Sequence, residues 1–317
     1  MNKLITDLKS LEIETLKNLK NSKSNNTLRA YQSDFKDFSF FCAKNGFTSI
    51  PTQPKTIALY LTNLSKLAKF STLKRRIASI SVIHKLKGHY LDIKHPVIME
   101  NLHGIKRTLG SRQKAKKPIL INDLKLIIKA IDQEKINAKN LVESKVKGQN
   151  KLRDKALILI GFAGGFRRSE LVNIDHEDLE FVTEGVKILI KRSKTDQSGE
   201  GIIKAIPYFD NNEFCPVIAL KNYIKYKFSS NKVGKVFEIS DKSVALIIKR
   251  YAEKAGLDSS KYAGHSLRSG FATTAAEFGA EERNIMAMTG HKTTQMVRRY
   301  IQEANLFKNN ALNKIKI

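Results

Sequence analysis

Two cysteines, too few acids and no apolar run long enough for a bilayer set the first limits on this chain of 317 residues. Cys42 and Cys215 lie far apart and stand in no Cys-x-x-Cys or Cys/His zinc spacing. A disulfide framework and a metal knuckle are therefore excluded, and a reducing compartment is expected. The longest apolar stretch, Ala156 to Phe166, is too short to span a membrane and is broken by glycines. With no signal peptide at its start, the chain reads as a soluble cytoplasmic protein with no membrane partner. It also lacks internal repeats, low-complexity tracts and any acid or His/Cys cluster with metal-ligand spacing, so neither a metal nor another cofactor is expected.

The shortage of acid is the informative one. Against 57 Lys and Arg stand 30 Asp and Glu, a formal charge of +27. Residues 1–110 hold 19 basic and 7 acidic side chains, residues 118–317 hold 34 and 23, and four cations fill the strip between. No tail carries the excess. Such a spread fits a polyanion held along the whole molecule, most simply a nucleic-acid backbone; a solvated basic surface is the competing explanation of the same count. Apolar residues at 41% and charged residues at 27% are a globular composition, and the length suits two domains.

Helical periodicity starts in residues 1–20, where Leu4, Leu8, Leu11, Leu16 and Leu19 recur, and NSKSNN then interrupts it. Residues 1–24 are read as a helical extension. Leu28, Tyr31, Phe35, Phe38 and Cys42 share the next helical face, and further helices are expected over 56–67, 71–88 and 95–110, the last opened by His95-Pro96 and closed by Gly110. Residues 25–110 are thus an all-helical domain. Ser111 to Pro118 reads as a basic linker, and a second domain over 119–304 mixes helices with a β-hairpin, Val186 to Ile190 and Ile202 to Ile206. Helices are expected at 119–131, 155–165, from Phe166 onward, and at 214–228, 241–256, 266–278, 281–289 and 293–308. The fold class is mainly α with a small β-sheet.

Two stretches near the carboxyl end carry chemistry: GHSLRSGF from Gly264 and GHKTTQMVRRYI from Gly290. His265 and Arg268 share one helical turn, His291 opens the next helix, and Tyr300 follows nine residues later. Upstream lie Gly165-Phe166-Arg167-Arg168-Ser169-Glu170 and, on the hairpin, Ser193-Lys194-Thr195. Taken in order, these five motifs resemble the tyrosine recombinase (phage integrase) family, with a layout most like its compact Cre-like and Xer-like members. Phe166 stands where an aliphatic residue is usual, and a second arginine follows Arg167.

The resemblance implies an all-helical core-binding (SAM-like) domain and a mixed catalytic domain closing on DNA as a C-shaped clamp. It implies site-specific recombination through a 3′-phosphotyrosyl intermediate, without metal or ATP. Tyr300 is then the nucleophile, Arg167 and Arg268 clamp the phosphate, and His265 is the general base. His291 donates to the phosphate, Lys194 is the general acid, and Glu170 orients Arg167. Lys191, Arg192 and Lys204 share the hairpin and compete for the part given to Lys194.

Phosphate contacts are expected from Lys74, Arg75, Arg76, Lys106, Arg107, Arg112, Lys114, Lys116, Lys117, Lys191 and Arg192. The implied partners are double-stranded DNA with an inverted-repeat target and three more copies of the chain, a homotetramer on DNA and a monomer or weak oligomer without it. The apolar stripe of the tail, residues 305–317, then docks on a neighbouring subunit; folding back on its own domain is the alternative. A prokaryotic, phage or plasmid setting at the nucleoid follows. Type IB topoisomerase-like relaxation and an inactive DNA-binding relative are the competing functions.

Overall fold

The computed structural model describes residues 8–110, 115–191, 201–228, 233–304 and 311–315. It divides into two compact units, Met1–Lys114 and Ala115–Ile317.

In the first unit, α1 (Leu8–Asn21) precedes four helices that share one core: α2 (Asn25–Lys44), α3 (Pro54–Ser65), α4 (Phe70–Leu86) and α5 (Pro96–Leu109). Local chemistry sets their ends. The Ser24 side chain accepts from Thr27 N, and His95 Nδ1 accepts from Val97 N just ahead of a helix whose first residue is Pro96, where a missing N–H costs nothing. Phe38, Ile57, Leu61, Leu73, Ile80 and Ile98 are wholly buried between the helices.

One acid is buried with them. Asp34 accepts from Ser79 Oγ at 2.7 Å and pairs with both Arg75 and Arg76, while Asp37 pairs with Arg76 and accepts from the Tyr60 hydroxyl at 2.6 Å. Burial of a carboxylate is costly unless charges and donors surround it, and here they do.

The second unit begins before the expected linker ends. Lys117 N donates to Lys261 O at 2.8 Å and Ile119 N to Ser266 O at 2.9 Å, so the chain is strapped to this unit from residue 117 onward. Residues 111–114 lie outside the described residues. Next come α6 (Ile121–Gln133), α7 (Leu141–Ala163) and the single turn α8 (Arg168–Leu171). Three antiparallel strands follow in the order β1 (Leu179–Phe181), β2 (Gly185–Ile190), β3 (Ile202–Pro207), with Ile188 opposite Lys204. The remaining helices are α9 (Pro216–Lys227), α10 (Asp241–Lys254), α11 (Ser266–Glu277), α12 (Glu282–Thr289) and α13 (Thr294–Ala304).

The carboxyl-terminal half of α7, Ala156–Ala163, is buried on all sides and forms the spine of this unit. The sequence expectation of 155–165 found that half only, since the solvated half before it shows no apolar stripe. A separate small cluster, Ala272, Ala276, Ile285 and Val297, packs α13 against α11 and α12, with Tyr300 and Ile301 at its margin. Gly290 ends α12 in the left-handed region at φ 63°, a backbone that an L side chain rarely adopts, and so returns the chain toward α11. No helix among the described residues is long and apolar enough to cross a membrane.

Candidate active site

Four turns and helix ends converge on a cleft of about 620 Å³, lined among others by Arg167, His265, Arg268, His291, Arg299 and Tyr300. Arg167 precedes α8. Its backbone N–H donates to Glu170 Oε2 at 2.9 Å, its Nη1 pairs with Glu170 Oε1 at 2.5 Å, and Nη2 donates to Gly290 O at 3.2 Å. Glu170 thereby both accepts the backbone N–H of the residue that precedes a one-turn helix and serves as the counter-ion of the arginine. Arg268 enters from α11 and is 1% exposed; its Nη1 donates to Gly165 O at 2.9 Å. Burial, with Arg167 as the next cause, lowers its pKa to about 10, which leaves it charged at neutral pH.

The histidines are held differently. His265 lies at the start of α11, and its Nε2 is 3.4 Å from the Tyr300 hydroxyl. Burial pushes its pKa below the usual histidine value, and Arg268, Arg167 and Arg168 push the same way. His291 is 8% exposed, its ring centroid 5.9 Å from that of Tyr300, and burial followed by the two arginines lowers its pKa to about 4. Thr289 Oγ1 donates to Ile285 O at 2.5 Å and lies 2.7 Å from His291 Nδ1. A hydroxyl has one hydrogen, so with that hydrogen on Ile285 O it accepts from Nδ1–H, and the neutral ring keeps its lone pair on Nε2. Donation from Nε2 therefore requires a protonated ring.

Of the expected site residues, Tyr300, Arg167, Arg268, His265, His291 and Glu170 come together here. Lys194 and Arg192 lie outside the described residues, as do Arg112 and Lys114. Lys116 lines the cleft and donates to Ser260 O at 2.6 Å. Lys117 is committed to Asp123 at 2.9 Å and to the Tyr262 hydroxyl at 3.2 Å, and the bond to Asp123 raises its pKa. Lys191 pairs with Asp178 at 2.7 Å and Asp175 at 3.1 Å. In the first unit Lys74, Lys106 and Arg107 are exposed, whereas Arg75 and Arg76 are paired with Asp34.

Sequence reasoning missed Thr289, which contacts His291 Nδ1 and carries no motif signal. It named Lys204 only as a rival of Lys194 on the hairpin and did not foresee its burial, of which its inward position in the alternation of β3 was the available sign. Among the described residues no group of three or more His, Cys, Asp and Glu side chains is placed to hold a metal ion.

A mostly helical fold with this cation-lined cleft around a tyrosine defines a class of enzyme, one that breaks and rejoins DNA strands. The phage integrase family model matches residues 129–306. Over 99% of its length the chain is 41% identical to an integrase/recombinase XerD homolog of Selenomonas ruminantium, covering 92% of that protein. It is 22% identical to the tyrosine recombinase XerC of Syntrophus aciditrophicus (strain SB), over 91% of each. In fold it matches the XerH site-specific recombinase bound to palindromic difH substrate, in a post-cleavage complex. That likeness has a TM-score of 0.65 at 16% identity, over 89% of this chain and 80% of that one. The chain belongs to the phage integrase family: it is a tyrosine recombinase, and its activity is site-specific DNA recombination. These relatives favour neither the topoisomerase-like reading nor the inactive one.

Proposed function

We propose that the enzyme cuts each strand by attack of the Tyr300 hydroxyl on a phosphodiester. The bond from phosphorus to the 5′ oxygen breaks, and a bond from phosphorus to the tyrosine oxygen forms, leaving the 3′ phosphate on the protein. The observation that carries this reading is Tyr300 Oη standing 3.4 Å from His265 Nε2 in a cleft lined by both arginines. His265, neutral because burial and cations disfavour its charge, takes the phenol proton. Arg167 and Arg268 meet the charge that grows on the nonbridging oxygens, donors of this kind supplying about 3 kcal/mol each to the transition state. Glu170 fixes Arg167 in direction. His291 donates to the phosphate once protonated, a form that the bound phosphate's charge stabilises. Lys194 gives its proton to the departing 5′ oxygen, and reversal with a second DNA hydroxyl seals the new joint.

This assignment gives cleavage a pH dependence of known sign. A histidine whose pKa is depressed loses its proton earlier as pH rises, so the base is present throughout the neutral range. The acid limb reports His265: single-turnover cleavage is expected to fall on that side only below about pH 6.5, the ordinary histidine value, whereas a fall toward alkaline pH reports loss of the His291 proton. An acid limb already halved above that value argues against His265 as the base.

The remaining partners follow from the same reading: an inverted-repeat target at the nucleoid and a homotetramer that assembles on it. Leu312 and Ile315 are 66% and 57% exposed, which leaves apolar area for a neighbouring subunit to cover. One experiment tests target and assembly together. Covalent adducts of the full chain on total host DNA are recovered and sequenced, beside those of a version ending at residue 304. The full chain is expected to mark recurring inverted repeats and to form synaptic complexes. The shorter chain is expected to occupy half-sites singly. Adducts scattered without a common sequence overturn the site-specific target, and normal synapsis by the shorter chain overturns trans docking of the tail.

A further inference from the structure

Strand β3 alternates in burial, and at its inward position 204, two residues before the buried Ile206, stands a lysine 5% exposed. Its partner in register is Ile188, wholly buried. Packing alone favours leucine or methionine in such a slot, because a buried ammonium costs free energy that only specific bonds offset. Lys204 has two such contacts. Its Nζ donates to Gly164 O at 2.7 Å and lies 4.3 Å from the centroid of the Phe166 ring. Burial pushes its pKa down to about 7; Glu170 opposes that shift, and Arg268 and Arg167 add to it. Since the folded value lies below the ordinary 10.5, unfolding takes up a proton between those limits, and native stability rises with pH across that window. At neutral pH the lysine is a burden on the fold.

What it holds is the turn that aims the arginines. The carbonyls of Gly164 and Gly165 are consecutive; Lys204 takes the first from the sheet, and Arg268 takes the second from α11. Arg167, the residue just before α8, follows two residues later. A Cβ at position 164 would lie 2.1 Å from the Phe166 ring, so glycine there lets the ring sit under the ammonium. The aromatic residue where the family usually has an aliphatic one thus has a physical use. We propose that Lys204 is a positioning residue of the recombination reaction: from β3 it clamps the Gly164–Gly165 turn and thereby fixes the direction of Arg167. The role rests on Arg167 acting as a phosphate clamp. It is distinct from the proton donation assigned to Lys194.

The test is a double-mutant cycle on the full chain. Wild type, Lys204→Met, Arg167→Lys and the double variant are compared by half-site gel shift and by single-turnover cleavage of a nicked suicide substrate at saturating protein. Lys204→Met is expected to bind within about twofold of wild type and to cleave roughly tenfold or more slowly, the signature of lost alignment rather than lost affinity. The double variant is expected to cleave within about threefold of Arg167→Lys alone, because both changes then remove the same alignment. Thermal unfolding accompanies each variant. If Lys204→Met shows no cooperative transition, Lys204→Leu, which likewise removes the donor nitrogen, takes its place in the cycle. Rate losses that multiply, or a Lys204 variant that cleaves normally or loses binding instead, overturn the positioning role alone. Wild-type cleavage by Arg167→Lys overturns the reading of the site on which the role rests.

Discussion

Replacing Tyr300 by phenylalanine is expected to abolish cleavage while half-site binding stays within about twofold of wild type, since the change removes the proposed nucleophile and no cation. The ring itself stays. It packs at the margin of the Ala272, Ala276, Ile285 and Val297 cluster, and phenylalanine keeps those contacts, so the variant is expected to melt where the wild type does. A nicked suicide substrate, on which the covalent intermediate accumulates, run beside a gel shift separates the two effects. Covalent adducts formed by the variant would mean that another residue attacks the phosphate, and the 3.4 Å approach to His265 would then need a different use.

The second large effect is expected at Arg268→Lys, where cleavage should fall by about two orders of magnitude or more. The substitution looks conservative only on the surface. A lysine loses the planar fork that, on the proposed reading, spans two phosphate oxygens, and with it the bond to Gly165 O that orients the side chain. Position 268 is also deeply buried beside Arg167, a setting that lowers even the guanidinium to about 10. An ammonium there starts from a lower pKa and meets the same burial and the same neighbour; Lys204, close by, is pushed to about 7. Charge as well as shape is therefore weakened at neutral pH. A near-normal rate in single-turnover cleavage would show that Arg268 is not a clamp. Partial recovery of the variant as pH is lowered from about 8 to about 7 would separate loss of charge from loss of the fork.

Much of the site was legible because its chemistry is encoded at short spacing. Arg167 and Glu170 sit three apart in a single turn, His265 and Arg268 likewise, and His291 to Tyr300 spans one helix start. What escaped depended on residues far apart in sequence. Nothing near Arg75 or Arg76 announces that Asp34, some forty residues earlier, lies buried between them, nor does the hairpin announce that Lys204 reaches Gly164. Strand β1, at three residues, is too short for a period-two pattern to register, and the polar first half of α7 shows no apolar stripe. Helices with a wet face and a dry face read well; elements held by long-range polar contacts do not. The basic strip read as a linker shows the same limit, since the bonds from Lys117 and Ile119 to residues 261 and 266 attach it to the second unit.

The carboxylates paired with basic side chains also change what +27 means for a bound duplex. Each phosphate that meets an unpaired cation sheds part of its condensed counterion atmosphere, and the entropy of those released ions drives association. Arg75 and Arg76 against Asp34, Lys117 against Asp123, and Lys191 against Asp175 and Asp178 already have anionic company before DNA arrives. A cation so paired contributes little to ion release unless its internal partner is given up. The grip of this enzyme on a polyanion is thus governed by where its uncompensated charges stand rather than by how many the sequence contains.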